Sequence, residues 1–219
     1  MLVLTYCNKI DRKLPELLRS LEGKVPYECH IVSGEFTWDK VVQWQLEMTL
    51  RYATETLIFV DAYDTLFVGD PSRLEELVSG EDIVYCADKR CWPDETLSHR
   101  FPDVDSPWRY LNGSVMAGKG AKIHNAIQLG LATAPIKPMV NDGRSIYYQD
   151  NDQRFWIDVY LRGRGGLDTE CQVFQNLSAI EDSDFRVKRG RFYNTVTGTY
   201  PQFIHAAAKT WWLIPKELL

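Results

Sequence analysis

The chain has 219 residues, 45% hydrophobic and 12% aromatic, enough apolar material for one large core or two small ones. A formal net charge of -5 argues against nucleic acid or an anionic membrane as the main partner, and no apolar run approaches the ~20 residues that a spanning helix requires. The five cysteines, Cys7, Cys29, Cys86, Cys91 and Cys171, contain no Cys-x-x-Cys pair, so reduced thiols are expected and neither a zinc site nor a disulfide framework is.

No Ser/Gly-rich linker, repeat or low-complexity tract divides the chain, which reads as one domain over residues 1–219. Leu2 to Tyr6 predicts a first buried strand, and Leu14 to Leu21 a helix stopped at Gly23. The amino terminus has no basic segment and no small-residue cleavage site, so no signal peptide is expected and the expected location is cytoplasmic. Tyr27 to Val32 reads as a second strand. From Asp39 to Ala53, a stripe of Val42, Leu46, Leu50 and Ala53 predicts a helix capped by Asp39.

The next stretch, Thr56 to Phe67, runs a short apolar segment into two carboxylates. Leu57 to Val60 is too short for a helix and wholly apolar, so it predicts a strand covered on both faces in a mostly parallel sheet. Asp61 and Asp64 then fall at its carboxyl end, where ligands of open α/β sheets bind. Two oxygen ligands three residues apart across a turn can approach one hard divalent cation; the alternative is an Asx turn closing the strand. Asp70-Pro71 starts another helix that ends at Gly80, and Ile83 to Cys86 another strand. Alternating strands and helices in under ninety residues predict a doubly wound α/β sheet.

Asp88 to Arg109, with three prolines and two tryptophans, is long for a connection, and loops of that length are usually functional. Leu111 to Gly118 predicts a strand and Ala121 to Leu131 a helix. Asp150 to Gln153 begins a further helix with Phe155, Trp156, Val159 and Tyr160 on its apolar face, and its positive end favours ionised Asp150 and Asp152. Leu167 to Leu177, Phe185 to Lys188 and Phe192-Tyr193 predict short antiparallel strands closed by His205. Arg186, Lys188, Arg189 and Arg191 read as a solvated edge, and Trp211-Trp212 as a packed tail.

Six segments carry a resemblance. Phe59 to Phe67 resembles a Phe-Val-Asp-Ser-Tyr-Asp-Val segment, and Cys91 to Asp94 a Cys-Trp-Pro segment. Leu111-Asn112 stands at a Leu-Asn-Ser-Gly-Gly position and Asp150 to Gln153 at an acidic run ending in Asp-Gln. Phe174 to Leu177 repeats Phe-Gln-Asn-Leu, and His205 falls at His-Gly-Asn-Gly. The chain resembles, through these, the glycosyltransferase module of the procollagen lysyl hydroxylase and collagen glycosyltransferase proteins. It departs from them at Asp88, where the family has Glu, at Gly113 to Val115, and at Ala206 to Ala208.

The resemblance implies a GT-A fold, a Rossmann-like mostly parallel sheet flanked by helices with a small antiparallel part near the carboxyl terminus. It implies a UDP-hexose donor, a glycan or hydroxylated peptide acceptor, and Mn2+, with Mg2+ as second choice, held by Asp61, Asp64 and His205. Thr5, Trp38, Lys40 and Tyr63 would hold the nucleotide, while Asp88, Trp92, Asn112, Asp150 and Asp152 would line the sugar end. Two other functions compete with transfer. A non-catalytic nucleotide-sugar or carbohydrate binder would share the fold. A haloacid-dehalogenase-type phosphatase also ends a strand in paired aspartates, but two residues apart and usually on its first strand.

Overall fold

Apolar runs of four to six residues and well-placed turn residues set most elements locally. The computed structural model describes residues 1–11, 13–34, 37–80, 82–133, 139–141, 144–146 and 152–219. The first half comprises β1 (Leu2–Cys7), α1 (Leu14–Leu21), β2 (Tyr27–Ile31), α2 (Trp38–Arg51), β3 (Thr56–Asp61), β4 (Thr65–Phe67), α3 (Pro71–Val78) and β5 (Val84–Asp88). The second comprises β6 (Tyr110–Lys119), α4 (Gly120–Thr133), β7 (Met139–Asn141), β8 (Arg144–Ile146), α5 (Asp152–Tyr160), β9 (Gly166–Leu167), β10 (Phe174–Asn176), β11 (Phe185–Lys188), β12 (Arg191–Asn194) and β13 (Phe203–His205). α3 shows the local logic: the Asp70 carboxylate accepts from the N–H groups of Ser72 and Arg73, and Pro71 follows in the first turn.

The main sheet has the order β2-β1-β3-β6-β5-β9. β1 pairs parallel with β2 and β3, and β5 with β9, while β6 runs antiparallel to both β3 and β5. Five strands therefore point one way, and their carboxyl ends share an edge. Alternation along β1 and β3 feeds two cores. Leu4 and Phe59 face Trp44, Met48, Ile123 and Trp156 from α2, α4 and α5, whereas Val3 and Ile58 face Leu17, Leu21, Leu74 and Val78 from α1 and α3. Each such fully buried side chain contributes ~1.5–3 kcal/mol of transfer free energy. Gly130 on α4 is dictated by this packing, since a Cβ there would lie 2.5 Å from the Phe155 ring of α5.

A second sheet, β10-β13-β4, stands against the first, and β11-β12 and β7-β8 are antiparallel hairpins. No helix among the described residues is long and apolar enough to cross a membrane. All five cysteines are free.

Several expectations are corrected. α2 starts at Trp38 behind an extended Thr37, so Asp39 lies inside the helix and is not its cap. Its buried residues are Val42, Trp44, Gln45, Met48 and Thr49, while Leu50 is 68% exposed. Val42 and Leu46 of the expected stripe do face the core, but the Trp44 ring, edge-on to Phe59 at 5.4 Å, centres the buried face away from Leu50, and Ala53 lies beyond the helix end at Arg51. β11 and β12 pair antiparallel as expected, but β10 pairs parallel with β13 and β9 parallel with β5. Trp211 packs against the Leu66, Leu177 and Ile204 cluster as expected of a tail, but Trp212 is 77% exposed.

Candidate metal centre

Strand β3, buried from Thr56 to Val60, carries Asp61 to the carboxyl edge of the sheet, and the turn through Ala62 and Tyr63 brings Asp64 back toward it. β4 then leaves along β13, whose antiparallel register sets His205 opposite Thr65, the residue after Asp64. The N–H of Ala206 donates to the Asp64 carbonyl at 2.6 Å. His205 Nε2 thereby lies 3.3 Å from Asp61 Oδ2 and 3.5 Å from Asp64 Oδ1. The ligand atoms of the three residues all fall within 4.8 Å of one another.

The His205 side chain is 1% exposed, and neither ring nitrogen has a partner in hydrogen-bonding geometry among the described residues. Burial opposes charge on the imidazole, but the Asp64 and Asp61 carboxylates outweigh it and raise its pKa well above the ordinary value. Burial likewise pushes the Asp64 carboxyl up, and His205, with Lys13 further off, pulls it below the usual range. The site thus favours positive charge at one point. Ligand atoms in neighbouring positions of an octahedral cation lie ~3 Å apart, so two carboxylates and a buried imidazole at these separations fit a divalent first-row ion.

Asp152 opens α5 and is 7% exposed. Burial first, and the Asp61 charge second, push its carboxyl up to about 7. This corrects the expectation that the helix end favours the ionised form: loss of water and a like charge outweigh the helix field. Asp61 and Asp152 line a recess of about 20 Å³ together with Trp38 and Tyr6, room for a water molecule. Lys40, in the first turn of α2, is exposed and does not line that recess.

Asp88 ends β5, buried, with Oδ1 accepting from the Arg90 N–H and Oδ2 from the Asn176 amide, each at 2.9 Å; burial raises its pKa. Trp92 is 52% exposed, and Asn112 is buried on β6. Thr5 is buried, its hydroxyl donating to the Val60 carbonyl at 2.9 Å, so that group holds β1 to β3. The Tyr63 hydroxyl donates to the Lys9 carbonyl at 2.9 Å and accepts from the Asn8 and Lys9 N–H groups at 3.2 and 3.1 Å. Asp150 lies outside the described residues.

Sequence reasoning assigned no role to Gln153 or Asn176, although both stand in the quoted segments. Gln153 accepts from the Gly113 N–H at 2.6 Å and donates to the carbonyls of Leu111 and, at 3.3 Å, Trp92. It joins α5, β6 and the Trp92 loop beside Asp152. Arg154 adds a bond to Asp94 of that loop at 2.9 Å. An amide is a neutral side chain whose oxygen can serve a backbone donor while its NH2 serves two backbone acceptors, which is the signal an Asp-Gln pair ahead of an apolar helix could have given.

The family model described as the PLOD GT domain matches residues 39–214. The chain is 29% identical over 168 residues to the multifunctional procollagen lysine hydroxylase and glycosyltransferase of Caenorhabditis elegans, covering 70% of this chain and 21% of that protein. It is 27% identical over 179 residues to the multifunctional procollagen lysine hydroxylase and glycosyltransferase LH3 of Homo sapiens, covering 77% and 23%. To an uncharacterized protein of Acanthamoeba polyphaga mimivirus it is 28% identical over 154 residues, covering 68% and 30%. The chain therefore spans less than a third of the length of these relatives. A solved active-site mutant of the GT-A glycosyltransferase LgtC superimposes with a TM-score of 0.52 at 11% identity, covering 95% of this chain and 88% of that one, a likeness of fold. The matched segment contains both aspartates of the β3 turn, Asp152 and His205, and the chain, GT-A in fold, belongs to the PLOD glycosyltransferase-domain family.

Proposed function

We propose that this chain is a glycosyltransferase that moves a hexose from a UDP-sugar, UDP-glucose or UDP-galactose, to a hydroxyl acceptor on a glycan or hydroxylated peptide. The observation that carries the reading is the convergence of Asp61, Asp64 and His205 in a chain of this family. These three residues would hold a divalent cation, Mn2+ before Mg2+ because imidazole is softer than an all-oxygen set. When bound, such an ion supplies Lewis-acid charge to a departing diphosphate.

The remaining chemistry belongs to the side chains around it. Trp38, beside the recess that Asp61 and Asp152 line, offers a flat face to a base, with Tyr63, Lys40 and the buried backbone near Thr5 completing the nucleotide side. Asp152, with a carboxyl near neutrality, can accept or donate a hydrogen bond to a sugar hydroxyl and can take a proton from an acceptor. Asp88, whose oxygens are held by Arg90 and Asn176, acts as a fixed acceptor with Asn112, and Asp150 is assigned to the same side. The Trp92 indole, on a backbone whose carbonyl accepts from Gln153, gives the sugar end an apolar face.

Time-resolved release of UDP from UDP-glucose and UDP-galactose, with Mn2+ and with chelator, tests this reading. Manganese-dependent release from one of the two is expected. Tight UDP binding with no release from either sugar across a panel of hydroxylated acceptors reduces the chain to a binder.

A further inference from the structure

The carboxyl-terminal part carries positive charge that the candidate centre does not use. From Phe185 to Lys216 the chain has no Asp or Glu, although its net charge is -5. Arg186 pairs with Tyr193 and Lys188 with Arg191 across the β11-β12 hairpin, so these four side chains share one face. Phe185 and Phe192 stack at 5.0 Å on the other, against the core. Lys188 and Arg186 lie over the Tyr193 ring at 4.4 and 5.4 Å, and Arg191 over Tyr200 at 5.2 Å. Among the described residues no carboxylate pairs with Arg186, Lys188 or Arg191.

This face runs into a cleft of about 380 Å³ lined by Arg73, Gln172, Arg191, Tyr200 and Gln202, with Leu77 its one large aliphatic side chain. That volume is in the ~300–1,000 Å³ range of small-molecule sites. Arg191 Nε is buried without a hydrogen-bond partner among the described residues. Arg73 gives one nitrogen to Glu76 at 2.8 Å and turns another to Gln172 Oε1 at 3.5 Å. Gln202 is fixed by the Asp70 N–H at 2.7 Å and the Tyr200 carbonyl at 3.0 Å, a rigid floor. The cleft opens at the amino ends of β10 and β13, whereas Asn176 and His205 lie at their carboxyl ends. At ~3.3 Å per residue, the two sites stand roughly 10 Å apart along the strands. A ligand here is separate from a donor diphosphate.

We propose that this cleft is a subsite for an acidic saccharide, its carboxylate held by Arg191 and Arg73 and its hydroxyls by Gln172 and Tyr200. A guanidinium fork matches a planar carboxylate in two parallel hydrogen bonds. The lining offers hydrogen-bonding groups and one aromatic ring, Tyr200, with Leu77 its one large aliphatic side chain, which suits a hydroxyl-rich sugar better than the apolar anchors of a polypeptide.

Calorimetric titration of the whole chain, without UDP or divalent ion, tests this with three probes: a glucuronate-containing trisaccharide, its glucose counterpart of the same linkage, and a Glu-rich peptide of equal charge. The uronate should bind at least ten-fold more tightly than the other two, and Arg191→Gln should weaken it at least ten-fold with an unchanged melting temperature. Arg73→Gln reports the same loss should Arg191→Gln prove unstable. Equal affinity for the glucose trisaccharide, tighter binding of the peptide, no uronate binding, or full affinity in both variants overturns the proposal.

Discussion

Ala206 donates its N–H to the carbonyl of Asp64 at 2.6 Å, so the residue after His205 is fastened to the backbone of the second aspartate of the turn. That bond needs an ordinary backbone: Ala206 has φ -83 and is fully buried. The left-handed position in this segment is Lys209, φ 66.

Lys209→Gly should therefore stabilise the chain by ~1 kcal/mol, because a Cβ in the left-handed region costs about that much and glycine bears no such penalty. Thermal or urea unfolding measures it. A destabilisation would mean that the Lys209 side chain contributes more than its backbone costs.

UDP should raise the melting temperature only with Mn2+ or a similar ion present, since the diphosphate otherwise meets Asp61, Asp64 and Asp152. The gain should follow mass action, ~2.7 kcal/mol at a hundredfold excess over the dissociation constant. An equal shift in chelator contradicts it.

His205→Ala should lower manganese-dependent UDP affinity ~10 to 100-fold while the fold persists. Unchanged affinity by calorimetry would place the third ligand elsewhere. Asp152→Asn and Asp150→Asn should instead reduce turnover far more than UDP affinity; proportional losses would move these residues to the nucleotide or metal side.

Gln153→Leu should destabilise by at least ~2 kcal/mol, since it leaves the Gly113 N–H and Leu111 carbonyl without their side-chain partner, at ~1–3 kcal/mol for each group truly orphaned. It should also speed amide exchange in residues 89–109, which Gln153 and Arg154 tie to α5. Exchange at the wild-type rate there would show that the loop holds its place unaided.

The sequence alone determined the elements whose signals are local and the residues that bear chemistry. β3 was legible because an apolar run of strand length ending in Asp61 has one physical reading, and α3 because Asp70 and Pro71 are a cap and a first turn. The family segments named Asp61, Asp64 and His205 together, but nothing local could place the histidine. Only tertiary structure decided that β13 lies antiparallel to β4 and parallel to β10, and this register is what sets His205 opposite Thr65. It likewise decided which face of α2 is buried, that burial and Asp61 push the Asp152 carboxyl up to about 7, and that Gln153 binds three backbone groups. Periodicity reports one element's own geometry, whereas pairing, burial and the field at a carboxylate depend on residues brought together from distant positions of the chain.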